Sequence, residues 1–241
     1  MTESVLDRRM LLGGAALVGA AAAAAASAQP AAPPAAPPST PPSTGGFTPQ
    51  PLPFDPKAVP GLSEKLLVSH HDNNYVGAVK RLGAIRAAFG KLDPATAPVF
   101  EINGLKREEL IAWNSMVLHE IYFAGLTPPV APSAGLAQAV ERDFGSHDRW
   151  AAEFSGMGKA LGGGSGWVIL TYSRHDGRLV NTWASDHTQT MANGAPLLVL
   201  DMYEHAYQMD YGAKAGDYVN AVMKVLSWRH ANEAFRRATV A

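Results

Sequence analysis

The distribution of proline limits where this 241-residue chain can fold. Of its 18 prolines, 12 lie between residues 29 and 60, separated by Ala, Ser, Thr and Gly. Proline lacks a backbone N–H group and this composition offers little apolar surface, so we predict a disordered, extended linker over residues 29–59. About 180 residues follow, enough for one compact domain or for two small layers that share a core.

Residues 1–28 have the features of an export signal. Arg8-Arg9 precede an Ala/Gly-rich apolar stretch, and residues 26–28 (Ala-Ser-Ala) form a small-residue cleavage pattern. Paired arginines here resemble a twin-arginine signal, and an ordinary secretory signal that carries Arg-Arg is the alternative. We therefore expect an exported, periplasmic protein with no membrane span in its mature form.

Charge and cysteine content exclude several classes of protein. Lys+Arg 20 and Asp+Glu 21 give a formal net charge of −1, which argues against a nucleic-acid partner because such partners require a clustered basic surface. The absence of cysteine rules out disulfides, thiolate metal sites and a cysteine nucleophile.

The periodicity of apolar residues predicts an α+β fold, with helices first and a small sheet after them. A long antiparallel helical hairpin is predicted as an N-terminal domain, residues 60–130, and a three-stranded antiparallel sheet with flanking helices as a C-terminal domain, residues 131–241. The predicted helices cover residues 62–89 (N-cap Ser63), 106–124 (ended by Gly125), 136–144, 148–161 and 218–235, and the strands cover 167–172, 178–184 and 196–200.

Four residues are candidate metal ligands. Asp201 and His205 stand four residues apart after the third predicted strand, and their donor atoms suit iron, manganese or zinc. Alone, an Asp and a His at this spacing are more often an ion pair or a helix cap than metal ligands. His70 and His119 lie on or beside the apolar faces of the two hairpin helices, where a single histidine is more often a core residue than a ligand.

Together these motifs resemble those of the iron/manganese superoxide dismutases. Residues 201–207 (D-M-Y-E-H-A-Y) are similar to the family motif D-x-W-E-H-A-Y, and residues 164–167 match its G-S-G-W. Residues 119–123 and the helix segment that carries His70 resemble the family's other two ligand segments. The resemblance covers about residues 60–239.

The resemblance implies one Fe or Mn ion per subunit, bound by His70, His119, Asp201 and His205, that disproportionates superoxide to oxygen and hydrogen peroxide. It implies that three neutral imidazoles and one carboxylate allow the ion to alternate between +3 and +2 while a bound solvent molecule takes up a proton.

Supporting roles follow from the same resemblance. His187 is the counterpart of a family glutamine that tunes the metal, with an uninvolved loop histidine as the alternative. Trp167, Tyr203 and Phe123 are expected to form an apolar wall around the ion, where low polarity strengthens electrostatic contacts.

The family's subunits pair, so the resemblance implies a homodimer. Glu204 is expected to hydrogen-bond the partner's His205, with an ordinary surface glutamate as the alternative. Gln208 and Asn74 replace a tyrosine and a histidine that meet across the family's interface, and a hydrogen bond between them is expected instead.

The substrate channel departs from the family pattern. An ungapped match starting at His70 puts Ala78 at the position of the channel tyrosine. The gapped alternative makes Tyr75 that tyrosine, but it removes three residues from a helix and rotates the helix face. Ser115 stands where iron enzymes often have glutamine, and Lys214 is expected to preserve positive charge near the channel.

Two other classes of function remain open from the sequence. The first is a non-catalytic iron- or manganese-binding protein of the same fold, which the altered channel favours. The second is a non-haem iron oxygenase or hydrolase that uses two histidines and a carboxylate, which needs an open coordination face and room for an organic substrate.

Overall fold

A computed structural model describes residues 47–240 of the protein. The predicted export signal and residues 29–46 of the predicted linker lie outside the described residues. The helices are α1 (Glu64–Ser69), α2 (Val76–Phe89), α3 (Val99–Ala124), α4 (Ala134–Phe144), α5 (His147–Ala160), α6 (Gln208–Tyr211), α7 (Ala215–Val225) and α8 (Arg229–Val240), and the strands are β1 (Trp167–Ser173), β2 (Arg178–Ala184) and β3 (Gly194–Asp201).

The first predicted helix forms as three consecutive segments. Ser63 caps its start, because its side chain accepts a hydrogen bond from the Leu66 N–H, as predicted. Between α1 and α2 the chain makes a π-helical turn, His70–Tyr75, after which the Val76 N–H bonds to the carbonyl five residues earlier. Such turns widen a helix locally and are frequent at functional sites.

Helices α2 and α3 form the predicted antiparallel hairpin. Arg86 near the end of α2 pairs with Glu109, and Tyr75 just before α2 bonds to Glu120 further along α3. The prediction of a loop over residues 91–105 is partly wrong, since α3 begins at Val99. The first turn of α3 is largely exposed, and the helical spacing of Val99, Ile102 and Leu105 is the signal that the prediction missed.

The sheet has the order β2-β1-β3 and is antiparallel throughout. The predicted α+β class and the three predicted strands are confirmed. The register pairs Trp167, the first residue of β1, with Ala184 on one side and Asp201 on the other. This register brings the G-S-G-W segment beside the end of β3.

The predicted last helix over residues 218–235 is wrong as a single element. It divides into α7 and α8 because the segment between them bonds to a distant loop. The Ser227 N–H donates to the Gly125 carbonyl at 2.8 Å and the Trp228 N–H to the Val130 carbonyl at 2.9 Å. These long-range bonds replace the local bonds that would have continued the helix.

The C-terminal part of the predicted linker, residues 47–59, packs on the folded domain. Val59 is buried, and Leu52 and Phe54 lie against the core. The Phe47 ring packs edge-on against Trp113, with centroids 5.8 Å apart. The structure therefore differs from the predicted disordered linker over residues 47–59. The apolar residues between these prolines pack on the folded domain.

A single apolar core joins the hairpin to the sheet, with α3 packed on β3. The predicted division into two domains at residue 130 stays a prediction. Residues from both sides of that position contribute to this one core. Within residues 47–240, no helix combines the length and the apolar character that crossing a bilayer requires.

We predict that Gly166→Ala destabilises the protein by at least about 2 kcal/mol. Gly166 has a φ of 140°, and a Cβ at this position would lie 2.2 Å from the Ala184 carbonyl oxygen. Urea unfolding measures the change. Gly156→Ala is the matched control, because a Cβ there has nothing within 4 Å and its helical position should gain about 0.5–1 kcal/mol. Equal stability of the two variants would contradict the argument.

Candidate metal centre

Four elements bring the four predicted ligands to one point. His70 begins the π-helical turn, His119 lies on α3, Asp201 ends β3 and His205 follows in a short 3-10 turn. One potential ligand atom from each lies within 4.8 Å of the other three, and His70, His119 and Asp201 are buried. Donors about 2.1 Å from one ion lie up to about 4.2 Å apart, so a small adjustment fits them around a metal.

The ring of His119 is fixed in one tautomer. Its Nδ1 lies 2.6 Å from the Ser115 carbonyl, which only accepts hydrogen bonds, so Nδ1 carries the proton. Nε2 therefore presents a lone pair, and this buried atom has no hydrogen-bond partner among the described residues. A metal ligand with its other ring nitrogen bonded to a carbonyl has this arrangement.

Asp201 occupies the centre of the cluster. Its Oδ2 lies 3.1 Å from His70 Nε2, 3.3 Å from His205 Nε2 and 3.6 Å from His119 Nε2. Its Oδ1 accepts a hydrogen bond from the Tyr203 N–H at 2.8 Å, which orients the carboxylate and leaves Oδ2 directed at the imidazoles.

Two tyrosines that the sequence argument did not identify support this aspartate. The Tyr218 hydroxyl donates to the Asp201 carbonyl oxygen at 2.8 Å, and the Tyr122 hydroxyl lies 3.2 Å from that of Tyr218. The ring of Tyr122 also lies 5.1 Å from that of His70. A tyrosine on the apolar face of a helix indicates burial, but nothing in the sequence identifies its partner.

Burial and mutual contact set the charges of the cluster. Burial lowers the pKa of His119 to about 3 and also lowers that of His70. Burial alone would raise the pKa of Asp201, but hydrogen bonds from His205 and His70 hold it well below its usual range. At neutral pH the buried core therefore holds a carboxylate beside the neutral imidazoles of His70 and His119, and a buried charge of this kind is tolerated only when it is hydrogen-bonded, paired or bound to a metal.

The predicted aromatic wall surrounds the ligands. Trp167 meets His119 edge-on at 5.1 Å, and Phe123 meets His70 in the same way at 5.1 Å. Tyr203 stacks on His205 at 5.3 Å, with 12° between the ring planes. These rings restrict the imidazoles to narrow orientations and keep the site largely free of water.

His187 lies beside the ligands in a defined tautomer. The Trp167 Nε1–H, which only donates, bonds to His187 Nδ1 at 3.0 Å. Nδ1 is thus an acceptor, and the neutral ring carries its proton on Nε2. The ring stacks on Tyr203 at 4.9 Å, with 12° between the planes.

A cavity of about 230 Å³ extends from His187 towards the surface. Asn74, Ala78 and Ser115 line it, whereas Lys214 is not among its lining residues. Tyr75 faces away from it: its hydroxyl donates to Glu120 and accepts from the Gln50 N–H, each at 2.9 Å. The gapped alternative is therefore not supported.

The two residues assigned to a dimer interface, Glu204 and Gln208, are exposed on this chain. Their predicted contacts with a partner subunit stay predictions.

The residues present fit the metal that the resemblance implies. The three imidazole nitrogens and one carboxylate oxygen are the borderline and hard donors that iron and manganese accept. Among the described residues, two buried side-chain atoms have no hydrogen-bond partner: Nε2 of His119 and Nδ1 of His70.

Comparisons with known proteins agree with this site. Residues 132–234 match the family model "Iron/manganese superoxide dismutases, C-terminal domain". The chain is 62% identical over 189 residues to the superoxide dismutase [Fe] of Cupriavidus metallidurans, a match that covers 78% of this chain and 96% of that relative.

More distant relatives carry either metal in their names. Superoxide dismutase [Fe] of Aquifex pyrophilus is 33% identical, with 76% of this chain and 88% of the relative covered. Superoxide dismutase [Mn] 1 of Halobacterium salinarum is 31% identical, with 78% and 94% covered. The chain belongs to the iron/manganese superoxide dismutase family.

We predict that the metal-stripped protein loses stability as the pH falls below about 6.5. The pKa of His119 is about 3 when folded and about 6.5 when unfolded, so between these values the unfolded chain binds more protons. The stabilisation is complete above pH 6.5 and is lost towards pH 3. Urea midpoints at pH 7.5 and 5.0 measure the slope.

His119→Gln should reduce that slope, because it removes one of the protonating groups. His175→Gln, which changes an exposed turn residue, is the control and should leave the slope unchanged. An identical slope in the His119 variant and the parent would refute the assignment.

Proposed function

We propose that this protein is a superoxide dismutase, which converts superoxide to oxygen and hydrogen peroxide at one iron or manganese ion held by His70, His119, Asp201 and His205. The observation that carries the proposal is the convergence of three imidazoles on the buried Asp201 carboxylate. A bound ion of this kind would supply one-electron chemistry, accepting an electron from one superoxide and giving it to the next.

The chain's own groups prepare the site for that chemistry. Ser115 and Tyr203 fix the His119 ring and the Asp201 carboxylate before any ion binds, so little reorganisation is required. Trp167 keeps the His187 proton on Nε2, from which it can be donated to a molecule in the adjoining cavity. The reduction to peroxide consumes protons, and a positioned N–H donor beside the ion serves that need.

We propose iron as the resident metal. His187 in place of the family's glutamine favours iron or tolerance of both ions, and the relative that is 62% identical is named for iron. Elemental analysis of the protein from its native source tests this, and manganese as the major metal would overturn it.

We propose a homodimer in which Glu204 accepts a hydrogen bond from the partner's His205. Glu204 is exposed and adjoins a ligand, and a carboxylate that orients an imidazole ligand is a common feature of metal sites. Sedimentation should show a dimer that Glu204→Ala weakens, while Glu233→Ala, on the exposed face of α8, does not. A monomer at micromolar concentration would contradict the proposal.

We also propose that the chain is exported, on the strength of the Arg8-Arg9 signal and the cleavage pattern at residues 26–28. Superoxide is an anion that crosses membranes poorly, so an exported enzyme would act on superoxide formed outside the cytoplasm. N-terminal sequencing of protein from cell fractions should find a periplasmic form that begins near residue 29, and a cytoplasmic form that retains residues 1–28 would contradict this.

Superoxide decay with the metal-loaded and the chelated protein tests the main proposal. The loaded protein should catalyse decay, and chelation or His119→Ala should abolish both metal binding and catalysis. Bound metal without turnover would instead support the alternative of a non-catalytic metal-binding protein.

A second set of variants tests the role of His187. His187→Ala should retain the ion and lower the catalytic rate by about 10–100-fold, because a positioning group around a metal typically has an effect of that size. His187→Gln, which restores the family's usual N–H donor, should recover part of the rate. Equal rates in all three proteins would show that His187 takes no part.

A further inference from the structure

A hydrogen bond from α3 holds the loop that carries His187. The Asn114 side-chain amide donates to the His187 carbonyl oxygen at 2.6 Å. A carbonyl oxygen only accepts hydrogen bonds, so the amide nitrogen is the atom that faces it. Asn114 is buried at 9% exposure, and breaking the bond would leave an unpaired polar group in the interior. The loop is thus tied to the helix that also carries the ligand His119.

The loop itself, residues 185–193 between β2 and β3, contains no helix or strand that would fix its position. Internal hydrogen bonds define its shape. The Ser185 N–H donates to the Gln189 side chain at 2.9 Å, and the Thr188 N–H donates to the Asp186 carboxylate at 2.7 Å. Because such bonds move with the loop, its position relative to the metal ligands depends on bonds to other elements.

Two bonds of that kind meet at His187 among the described residues. The Trp167 indole of β1 donates to the ring Nδ1 at 3.0 Å, and Asn114 of α3 holds the backbone carbonyl. A single hydrogen bond leaves the ring free to tilt, whereas an attachment at the backbone fixes the point from which the side chain extends. The position of the His187 Nε2–H therefore depends on both elements.

The turn of α3 that carries Asn114 also orients a ligand. The next residue, Ser115, accepts the His119 Nδ1–H through its carbonyl oxygen at 2.6 Å. Successive residues of a helix are held by its backbone hydrogen bonds at a rise of about 1.5 Å, so these two attachment points keep a constant separation. The ring centroids of His119 and His187 lie 6.5 Å apart, and this one turn holds both residues at that spacing.

The effect of Asn114 on the site passes through His187. Asn114 is not among the residues that line the cavity beside His187, all of which belong to the described part of the chain. We propose that Asn114 is a positioning residue, which holds the His187 Nε2–H at a fixed distance from the metal ligands and thereby influences the reduction potential of a bound ion. The influence of an N–H dipole on an ion depends on the distance between them.

The proposal has two parts with different foundations. That Asn114 positions His187 depends only on the folded chain. That this position influences the ion rests on the proposed function, in which His187 stands beside a redox-active metal. The two parts therefore require separate measurements, neither of which is a rate of superoxide decay.

Nuclear magnetic resonance of the full-length, zinc-loaded protein tests the first part, since zinc has no unpaired electrons to broaden nearby signals. The indole N–H proton of Trp167 reports its hydrogen bond to His187 Nδ1. Asn114→Ala should shift this signal upfield, because a released loop lengthens that bond. Asn114→Leu, which removes the donor but nearly keeps the volume, should give the same shift, and Asn114→Gln should recover part of the parental position.

Asn181→Ala is the matched control. Asn181 is also buried, at 8% exposure, and it hydrogen-bonds Trp150 and Glu153 instead of the His187 loop. This variant should lower the urea midpoint, as Asn114→Ala does, but leave the Trp167 signal unchanged. An unmoved signal in both Asn114→Ala and Asn114→Leu would overturn the proposal, and so would an equal shift in the control, which would attribute the change to lost stability.

A double-mutant cycle on the iron-loaded protein tests the second part. The reduction potential should shift in the same direction in Asn114→Ala and His187→Ala, and Asn114→Ala should add nothing when His187 is already alanine, because it acts through that residue. Additive shifts, or an unshifted potential in Asn114→Ala, would refute the influence on the ion. Shifts that follow this pattern in a protein without superoxide turnover would refute the proposed function and leave the role of Asn114 intact.

Discussion

The structure depends on one ionised carboxylate in a dry core. Asp201 is fully buried, and a charge in that position is unfavourable unless other groups compensate for it. The Tyr203 N–H and three imidazoles surround its side chain, while Tyr218 holds its backbone carbonyl. The hairpin, the turn that follows β3 and α7 each contribute at least one of these groups around the end of the sheet, so assembling the fold and assembling the site are the same event.

The sequence predicted those parts of this arrangement that local pattern determines. The strands follow from alternating and continuous apolar residues, and the hairpin from helical periodicity bounded by Gly and Pro. The ligands were recognisable because Asp201 and His205 stand in a dense motif, and because His70 and His119 occur once on each arm. Ala78 and Asn74 were placed in the channel by the ungapped match of the His70 segment to the family pattern.

Non-local contacts explain what the sequence did not predict. The break at Ser227 and Trp228 exists because their N–H groups bond to carbonyls about 100 residues earlier in the chain. Residues 47–59 were assigned to the linker by their prolines, yet Phe47 and Val59 find apolar partners on the domain.

The π-helical turn at His70–Tyr75 has a consequence for how insertions and deletions act on this family. A π turn contains one residue more than the α-helical turn it replaces, and each α-helical residue corresponds to a rotation of about 100°. Loss of a residue from an ordinary α-helix would rotate the following segment by that angle, whereas loss of the extra residue here would leave a regular α-helical turn and keep Ala78 on the same side of α2 relative to His70. The turn is thus a point at which the chain length can change by one residue without rotating α2 away from the ligand His70.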